Sequence, residues 1–372
     1  MTSRSTRVLQ FLVVAGALTI IAALSPAPDR VTDRDIYEAT ASQRIIPDCT
    51  DLHCFRVLVP WVLGLFPAGP ATWKMFAVVC NATAAVGVFQ LCLALGLSRH
   101  GAWFAAVMAA FGFGSLYTLH DPYTPDPLMY MLGPVITNEL VRGRVASAGL
   151  LGAIGVLGKE FAAVPLFVFA GSAALARRWP LASRVLASAT FAFIVWLSLQ
   201  LILMLQFNYG YGDSDSTELL SGGNLLPWLG RQSLRGAAVA VFNEYGVVYL
   251  LAPVGFICFA PALLRRLSVA AAPAAFLFAY VQQPDRALWN FHFVFLPLAA
   301  LVLERVSPLL GWAIAITFAI ANLRIGAQLP MVPGARWALG CSIILGLAGI
   351  GLALRGHTAA TGADAPAGPV PA

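Results

Sequence analysis

The chain has 372 residues, of which 59% are hydrophobic and only 11% are charged, and its mean hydropathy is +0.79. A soluble globular domain has about 25% charged residues, so this composition excludes a protein whose whole exterior faces water and predicts one surrounded by lipid. The formal net charge is +6, but the arginines stand singly or in pairs between apolar runs, which is typical of membrane-helix ends and not of a nucleic-acid-binding surface.

The first apolar segment, residues 8–24, follows Arg4 and Arg7 and resembles the start of a secretory signal peptide. Its roughly 17 residues are close to the lower limit for crossing a bilayer, and further apolar segments follow it. We therefore expect an uncleaved first membrane helix rather than a leader peptide.

Further apolar segments recur along the chain, so the sequence predicts an all-α, polytopic membrane bundle with roughly twelve transmembrane segments. After residues 8–24, these segments are residues 71–97, 102–119, 126–140, 145–157, 161–175, 185–205, 239–264, 268–281, 288–303, 309–323 and 337–354. Several are shorter than a straight span, which is tolerated where a helix lines a cavity enclosed by protein.

The connectors between these segments alternate in character. Short connectors carry arginine, as at Arg99, Arg142 and Arg177, whereas longer ones are acidic or rich in proline, glycine and aromatic residues. By the positive-inside rule the short basic connectors are cytoplasmic. Both termini are then expected in the cytoplasm, and the longer loops outside.

One transmembrane domain, residues 1–355, accounts for most of the chain. Its largest outer loops are residues 25–70 and 206–238, and the apolar stretch 55–66 predicts an interfacial helix on the outer leaflet. The tail 356–372, rich in alanine, glycine, proline and threonine, is predicted to be disordered.

Two of the six cysteines, Cys49 and Cys54, lie in the first outer loop, whereas the others lie inside apolar segments. If this loop faces an oxidising compartment, the two can form a short disulfide. Two free thiols, or two metal ligands acting with His53, are the alternatives.

Acidic residues cluster at the predicted outer ends of the spans. Asp33 and Asp35 follow the first span, where a carboxylate is placed to act as a general base or to hold a metal that binds a diphosphate. A solvated loop with local ion pairs is the alternative.

Asp121 and Asp126 lie in a proline-rich connector that blocks a helix until after Pro127 and leaves Asp126 in the first turn of the next span. The plainer interpretation of this segment is a turn and a capping Asp.

Lys159 and Glu160 form an adjacent charged pair between two short apolar segments. Charges at membrane depth are costly and indicate function by default; Lys159 suits an anionic phosphate, and Glu160 suits a metal ion or a proton. The alternative is a local ion pair at a helix turn. Arg286, in a later outer connector, can bind a phosphate through its planar guanidinium.

These charged segments, in this order, resemble the GT-C superfamily of polytopic glycosyltransferases, which use polyprenyl-phosphate-linked sugars. The similarity is to its small bacterial mannosyltransferase-like members. It rests on Asp33 and Asp35 with Tyr37, on Arg56 to Pro60, on Thr124 to Leu128, on Lys159 with Glu160, and on Asp285 to Trp289.

The resemblance implies an inverting glycosyl transfer at the outer face of a bacterial inner membrane. The donor would be a polyprenyl-phosphate-linked sugar, and the acceptor an envelope glycan, lipid or protein. Asp35 is the first candidate for the base that deprotonates the acceptor, and Asp33 is the second. Asp121 or Asp126 would support metal or acceptor binding.

The resemblance also implies that basic residues hold the lipid phosphate, with Lys159 and Arg286 as candidates and Arg56 as a further substrate-binding residue. A divalent cation, Mg²⁺ or Mn²⁺, is the candidate cofactor. Asp126 and Glu160 are the candidate metal ligands.

Two other classes of protein are compatible with these residues. A secondary transporter or lipid flippase would use Asp126, Lys159, Glu160 and Arg286 to bind an anion or relay protons, and would need them near the middle of the bilayer. A non-catalytic subunit of an envelope-assembly complex would tolerate the loss of Asp35 with no effect on product. The acids fall at connectors rather than inside spans, which favours the enzyme.

Overall fold

The computed structural model describes residues 4–26, 31–210, 233–276, 287–323 and 334–363. All regular secondary structure in these residues is helical, and no strand occurs among them. The all-α fold class predicted from the sequence is therefore confirmed.

The helices form two groups along the chain, separated by the undescribed residues 211–232. The first group is α1 (Arg4–Leu24), α2 (Val31–Gln43), α3 (Leu58–Leu63), α4 (Pro70–Ala94), α5 (Arg99–Ala110), α6 (Phe113–His120), α7 (Asp126–Val141), α8 (Val145–Gly155), α9 (Val164–Leu175) and α10 (Trp179–Phe207). The second group is α11 (Leu234–Tyr245), α12 (Val248–Val254), α13 (Ala262–Ala270), α14 (His292–Leu303), α15 (Pro308–Asn322) and α16 (Ala335–Ala363). Short 3-10 helices at Leu52–Phe55, Glu160–Ala163 and Trp289–Phe291 precede α3, α9 and α14.

Helix α4 lies at the centre of the bundle and packs against α1, α5 and α7. Small residues permit close packing here: a Cβ atom at Gly87 would lie 3.3 Å from the Pro134 ring of α7. Asn81, fully buried on α4, donates hydrogen bonds to the Ser115 carbonyl at 3.2 Å and the Thr118 hydroxyl at 3.0 Å. Because a buried amide is costly without partners, these bonds favour one position of α6 against α4.

The predicted span 102–119 is interrupted between α5 and α6, where the Trp289 side chain occupies a notch. A Cβ atom at Gly112 would lie 1.9 Å from the Trp289 indole, and one at Gly114 would lie 2.1 Å from it. Glycine at both positions therefore lets the backbone approach the buried indole.

Five helical segments of the described residues are long and apolar enough to cross a membrane: α1, α4, α5 with α6, α10 and α16. A sixth exists if α11 and α12, which are bent by 96°, are counted as one span. The roughly twelve predicted spans are not confirmed. The physical reason is the length of the helices, since a straight span needs about 20 residues. The segments around α8, α9, α14 and α15 form apolar helices of only 10–17 residues.

The two ends of the bundle differ in charge. Helices α4 and α7 both begin at one end, where Trp73 and Tyr123 are in ring contact 5.4 Å apart, and both finish at the opposite end. The connectors at that opposite end carry most of the arginines of the described residues. Two of these connectors meet where the Ser98 amide donates to Glu304 at 2.8 Å. The positive-inside rule predicts that the arginine-bearing end faces the cytoplasm.

Helix α16 extends to Ala363, past residue 356, where the sequence predicts a disordered tail to begin. Residues 364–372 lie outside the described residues. Of the predicted outer loop 206–238, residues 211–232 also lie outside them. In the other outer loop, α3 falls inside the predicted interfacial segment 55–66.

Candidate active site

The first outer loop folds back onto the end of α10. Asp48 and Gly210 provide backbone links, since the Asp48 amide donates to the Phe207 carbonyl at 3.0 Å and the Gly210 amide donates to Cys49 at 2.9 Å. The Asn208 amide group adds a hydrogen bond of 2.7 Å to the Asp48 carboxylate. These contacts hold residues 45–56 above the bundle.

Of the alternatives for Cys49 and Cys54, the structure contains the disulfide, with the two Cα atoms 6.5 Å apart. Between them, the Asp51 carboxylate caps the short 3-10 helix: it accepts from the His53 amide at 2.7 Å and lies 2.6 Å from His53 Nδ1. The hydrogen bond with the His53 side chain, opposed by burial, lowers the pKa of Asp51. The disulfide and the cap together fix the segment that leads to Arg56.

Two ion pairs lie directly below this segment. The Arg56 guanidinium is 3.3 Å from the Glu160 carboxylate, and the Lys159 ammonium is paired with the Asp126 carboxylate. Lys159 has extended backbone, with φ of −167°, between α8 and the following 3-10 helix, so it and Glu160 reach different partners. Lys159 thus pairs with Asp126, and Glu160 pairs with Arg56. The structure contains these two ion pairs instead of the alternative, a local pair between Lys159 and Glu160.

A backbone hydrogen bond sets the spacing of these pairs. The Leu58 amide donates to the Leu157 carbonyl at 3.1 Å, which ties the start of α3 to the chain just before Lys159. The Asp126 side chain is only 3% exposed and the Lys159 side chain 15%, so this pair is shielded from water and salt far better than a surface pair would be. In the other pair Arg56 is 12% exposed but Glu160 is 36% exposed, so that pair is open to solvent on the Glu160 side.

Tyr37 completes the cluster from above. It is buried on α2 beside Trp73 and His53, with ring centroids 5.6 and 5.5 Å away. Burial raises the pKa of Tyr37, although the positive charge and hydrogen bond of Arg56 oppose this shift. Burial by itself would lower the pKa of Arg56, but Glu160 and then Tyr37 outweigh it, so that pKa is raised and the guanidinium stays charged.

The two candidate bases, Asp33 and Asp35, lie on different faces of α2. Asp33 is half-buried and lies one helical turn before Tyr37. The negative charges of Asp126 and Asp33 both contribute to raising the pKa of Tyr37. Asp35 is exposed, and its charge acts on Arg34 instead. The structure therefore brings Asp33 towards the ion pairs and leaves Asp35 on the outer face.

A second network holds α2 over the start of α7. The Tyr123 hydroxyl donates to Glu38 at 2.9 Å, and Arg34 contacts the other oxygen of that carboxylate at 3.4 Å. Burial, followed by the bond to Glu38, raises the pKa of Tyr123 to about 12, so it remains a donor at neutral pH. At the other end of this connector, Asp121 is buried and accepts a hydrogen bond of 2.9 Å from Tyr117.

A cavity of about 240 Å³ opens beside the ion pairs. Its wall is formed by Leu52, Phe55, Arg56, Val156, Lys159, Glu160, Trp196 and Gln200. Three of the predicted site residues thus share one cavity. Trp196 and Gln200 were missed, because they lie inside the predicted span 185–205; a lone amide in that apolar segment is the signal that would have found Gln200.

A second, larger cavity of about 530 Å³ lies among α11, α12, α13 and α14. Among the described residues, its wall is apolar apart from Ser268, Tyr245 and Tyr249 and includes no acidic or basic side chain. Of these two cavities, the smaller one has the described side chains that suit acid–base or phosphate chemistry.

The fit of the site to a divalent cation is poor. Among the described residues, no group of three His, Cys, Asp or Glu side chains is arranged to hold a metal ion. The two candidate ligands, Asp126 and Glu160, are already neutralised by Lys159 and Arg56. A requirement for Mg²⁺ or Mn²⁺ stays a prediction. Arg286 lies outside the described residues.

No protein-family model and no curated protein sequence matches the chain. Solved structures do match its fold. The chain is similar to ArnT from Cupriavidus metallidurans in the apo state, with a TM-score of 0.57, 14% identity, and coverage of 98% of this chain and 80% of that one. The same protein bound to undecaprenyl phosphate gives a TM-score of 0.59, 14% identity, and coverage of 97% and 80%.

An oligosaccharyltransferase from Archaeoglobus fulgidus in the apo form is also similar, with a TM-score of 0.52 and 12% identity. The match covers 94% of this chain and 56% of the oligosaccharyltransferase. Likeness at such low identity is a likeness of fold. The chain therefore has the GT-C fold, as its ordered charged segments predicted.

Proposed function

We propose that this chain is an inverting membrane glycosyltransferase. It transfers a sugar from a polyprenyl-phosphate donor to an acceptor at the outer face of a bacterial inner membrane, where an envelope glycan, a lipid or a protein is available. The observation that carries the proposal is the meeting of Arg56, Lys159 and Glu160 on the wall of one cavity, with Asp126 paired to Lys159. Asp33 lies close enough for its charge to act on Tyr37, which is hydrogen-bonded to Arg56.

The reaction assigns a role to each charge. Asp33 takes the proton of the acceptor hydroxyl, whose oxygen then forms a bond to the anomeric carbon of the sugar. The bond from that carbon to the phosphate oxygen breaks, and the electron pair leaves with the polyprenyl phosphate. Attack from the side opposite the phosphate inverts the anomeric centre.

The leaving group gains a second negative charge in this step, so cations beside it accelerate the reaction only if they act more strongly in the transition state than on the bound donor. Arg56 and Lys159 are placed for this role. Asp126 and Glu160 hold them charged and in position in the absence of substrate, which reduces the reorganisation needed during the reaction.

The ArnT structure bound to undecaprenyl phosphate supports a polyprenyl lipid as the carrier, because this chain has the same fold. The position of the charged groups supports an enzyme over a transporter. All four members of the two ion pairs lie at helix ends or in connectors, whereas alternating access needs them near the bilayer midplane.

The test is transfer in proteoliposomes with a panel of radiolabelled polyprenyl-phosphate sugars. We expect Asp33→Asn to lower the transfer rate by about 100-fold or more, the usual range for loss of a general base. Asp35→Asn is the matched control on the same helix and should keep the rate within about threefold, because its side chain is exposed.

If Asp35→Asn abolishes transfer and Asp33→Asn does not, the reaction class stands and the base is Asp35. If the wild-type protein transfers no sugar from any donor of a broad panel, the glycosyltransferase proposal is wrong. Uptake assays on the same vesicles would then test the transporter.

A further inference from the structure

The larger cavity, among α11, α12, α13 and α14, has no part in the proposed reaction. Its volume is about 530 Å³, within the roughly 300–1,000 Å³ of pockets that bind small ligands. The only polar groups that the described side chains bring to its wall are the hydroxyls of Ser268, Tyr245 and Tyr249. A wall of this composition suits hydrocarbon, because a sugar or a phosphate would lose its hydrogen bonds to water there.

An arginine stands at the rim of this cavity. Arg265 on α13 is exposed and lies one helical turn before Ser268 and Val269, which both belong to the cavity wall. Residues three and four positions apart share one face of a helix, so Arg265 lies on the face of α13 that borders the cavity. The core-facing side of the same helix carries the buried Leu264 and Leu267.

A hydrogen bond shows where the charge of Arg265 lies. Its Nη2 atom donates to the Ile257 carbonyl at 3.5 Å, and the preceding residue, Phe256, belongs to the cavity wall. The side chain therefore reaches from α13 to the π-helical segment Gly255–Phe259 that continues α12. Binding this carbonyl uses one of the five N–H donors of the guanidinium, which leaves the others for a ligand.

The rim lies at the arginine-bearing end of the bundle. The guanidinium carbon of Arg305, just after α14, is 5.3 Å from the centre of the Phe259 ring. The acids that the described residues place at this end are already engaged: Glu139 pairs with Arg144 at 3.5 Å, and Glu304 accepts from a backbone amide. The local field is therefore positive and favours an anion.

We infer that this cavity binds an anionic glycerophospholipid of the cytoplasmic leaflet, with an acyl chain in the cavity and the phosphate at Arg265. Hydrocarbon space beside a cation at the membrane surface is complementary to such a lipid. A headgroup with net negative charge gains more from Arg265 and Arg305 than a zwitterionic one, whose ammonium offsets its phosphate. The polyprenyl donor fits less well, because the proposed reaction places its phosphate with Arg56 and Lys159 at the opposite end.

The experiment is native mass spectrometry of the purified, delipidated full-length protein, which gives the Kd of the first bound lipid. Phosphatidylglycerol and phosphatidylethanolamine with identical acyl chains are compared. The test variants are Arg265→Gln and Ala272→Phe, since Ala272 lies in the cavity wall and is exposed.

Each test variant has a matched control. Arg184→Gln removes another exposed arginine at the same end, which also donates to a backbone carbonyl, that of Pro180 at 3.2 Å. Ala262→Phe adds the same ring to α13 at an exposed position outside the cavity wall. Thermal melting without added lipid shows that each variant is folded.

We expect wild type to bind phosphatidylglycerol about fivefold more tightly than phosphatidylethanolamine, the effect of one arginine beside an anionic headgroup. Arg265→Gln should abolish this preference and leave the Kd for phosphatidylethanolamine unchanged. Ala272→Phe should weaken the binding of both lipids, because its ring occupies the space of the acyl chain. The two controls should retain both wild-type Kd values.

Equal Kd values for the two lipids in wild type, or a preference that survives in Arg265→Gln, would overturn the anionic headgroup site. Unchanged binding in a folded Ala272→Phe protein would overturn the cavity as the place of the acyl chain. Displacement of phosphatidylglycerol by sugar-free polyprenyl phosphate would assign the cavity to the chain of the donor instead.

Discussion

Four charged residues of the candidate site form two ion pairs, and this pairing links their expected effects on stability and on sugar transfer. The Asp126 side chain is 3% exposed and its partner Lys159 is 15% exposed. Removing one member of a buried ion pair leaves an uncompensated charge, which usually costs about 3–5 kcal/mol. The effect of Lys159 on activity can therefore be separated from its effect on stability only in a variant that removes both Lys159 and Asp126.

We predict that Lys159→Met lowers the free energy of unfolding by about 3 kcal/mol and abolishes transfer. The double variant Asp126→Asn, Lys159→Met should recover most of the stability but none of the activity, because the cation proposed to bind the donor phosphate is still missing. Thermal melting in detergent and the transfer assay provide the two measurements. Lys74→Met is the control: Lys74 donates to backbone carbonyls, including Ala22 at 2.9 Å, so less stability should be lost. Recovery of transfer in the double variant would contradict a catalytic role of Lys159.

Much of the charged site could be predicted from the sequence, because charges stand out in an apolar chain. Asp126, Lys159, Glu160 and Arg56 do lie around one position in space. Their partners could not be predicted, since the pairing depends on the extended backbone at Lys159 and on the link from Leu58 to Leu157. The cavity wall from α10 was missed because a tryptophan and an amide in an apolar segment are also typical of ordinary helix packing.

At the scale of elements, short and irregular segments position the site more than the long helices do. The stretch from Cys49 to Arg56 contains a disulfide, a capped 3-10 helix and one side of an ion pair. A disulfide that closes a short loop removes little entropy from the unfolded chain, so it stabilises the folded protein by only roughly 2 kcal/mol in the entropic model. Its larger contribution here is to hold Arg56 in register with Glu160.

We therefore predict that Cys49→Ser, Cys54→Ser together lower stability by only about 2 kcal/mol but slow transfer by roughly tenfold, because small displacements of a positioned group are expensive in rate. The control is Cys341→Ser, a free and exposed cysteine, which should change neither quantity. Thermal melting and the transfer assay supply the values. Full activity in the serine pair would show that the ion pair needs no such support.

The break between α5 and α6 gives a second test at this scale. We predict that Gly112→Ala destabilises the protein by about 2 kcal/mol, because the new methyl group would overlap the Trp289 indole. Gly16→Ala is the matched control, as nothing lies within 4 Å of that position. Adding Trp289→Leu to Gly112→Ala should recover part of the loss, as measured by thermal melting. An additive loss in this pair would mean that the clash is not the cause.

At the scale of the whole molecule, the bundle has a basic end and an end that carries the site. Apolar segments predicted the all-α membrane class, because their length and composition are visible in the sequence. The orientation that the arginines indicate stays a prediction. The number of full spans could not be predicted in the same way. Apolar composition does not distinguish a helix that crosses the bilayer from the short helices around α8, α9, α14 and α15.

The polarity predicts which end is accessible from outside an intact cell. Gln43→Cys at the end of α2 should react with a membrane-impermeant maleimide, whereas Arg178→Cys, also exposed but at the basic end, should react only after permeabilisation. The background for both variants replaces the free cysteines Cys80, Cys92, Cys258 and Cys341. Labelling in the opposite order would invert the topology and remove the outer-face site.

The Trp289 notch also has a consequence for the time course of biosynthesis. The pocket formed by Gly112 and Gly114 is complete early in translation, but the side chain that fills it arrives only after more than half of the chain has entered the membrane. Until then α5 and α6 can pack against α4, but the notch between them is unfilled. Nascent chains arrested before Trp289 should accordingly be recognised by membrane proteases, while slightly longer ones escape.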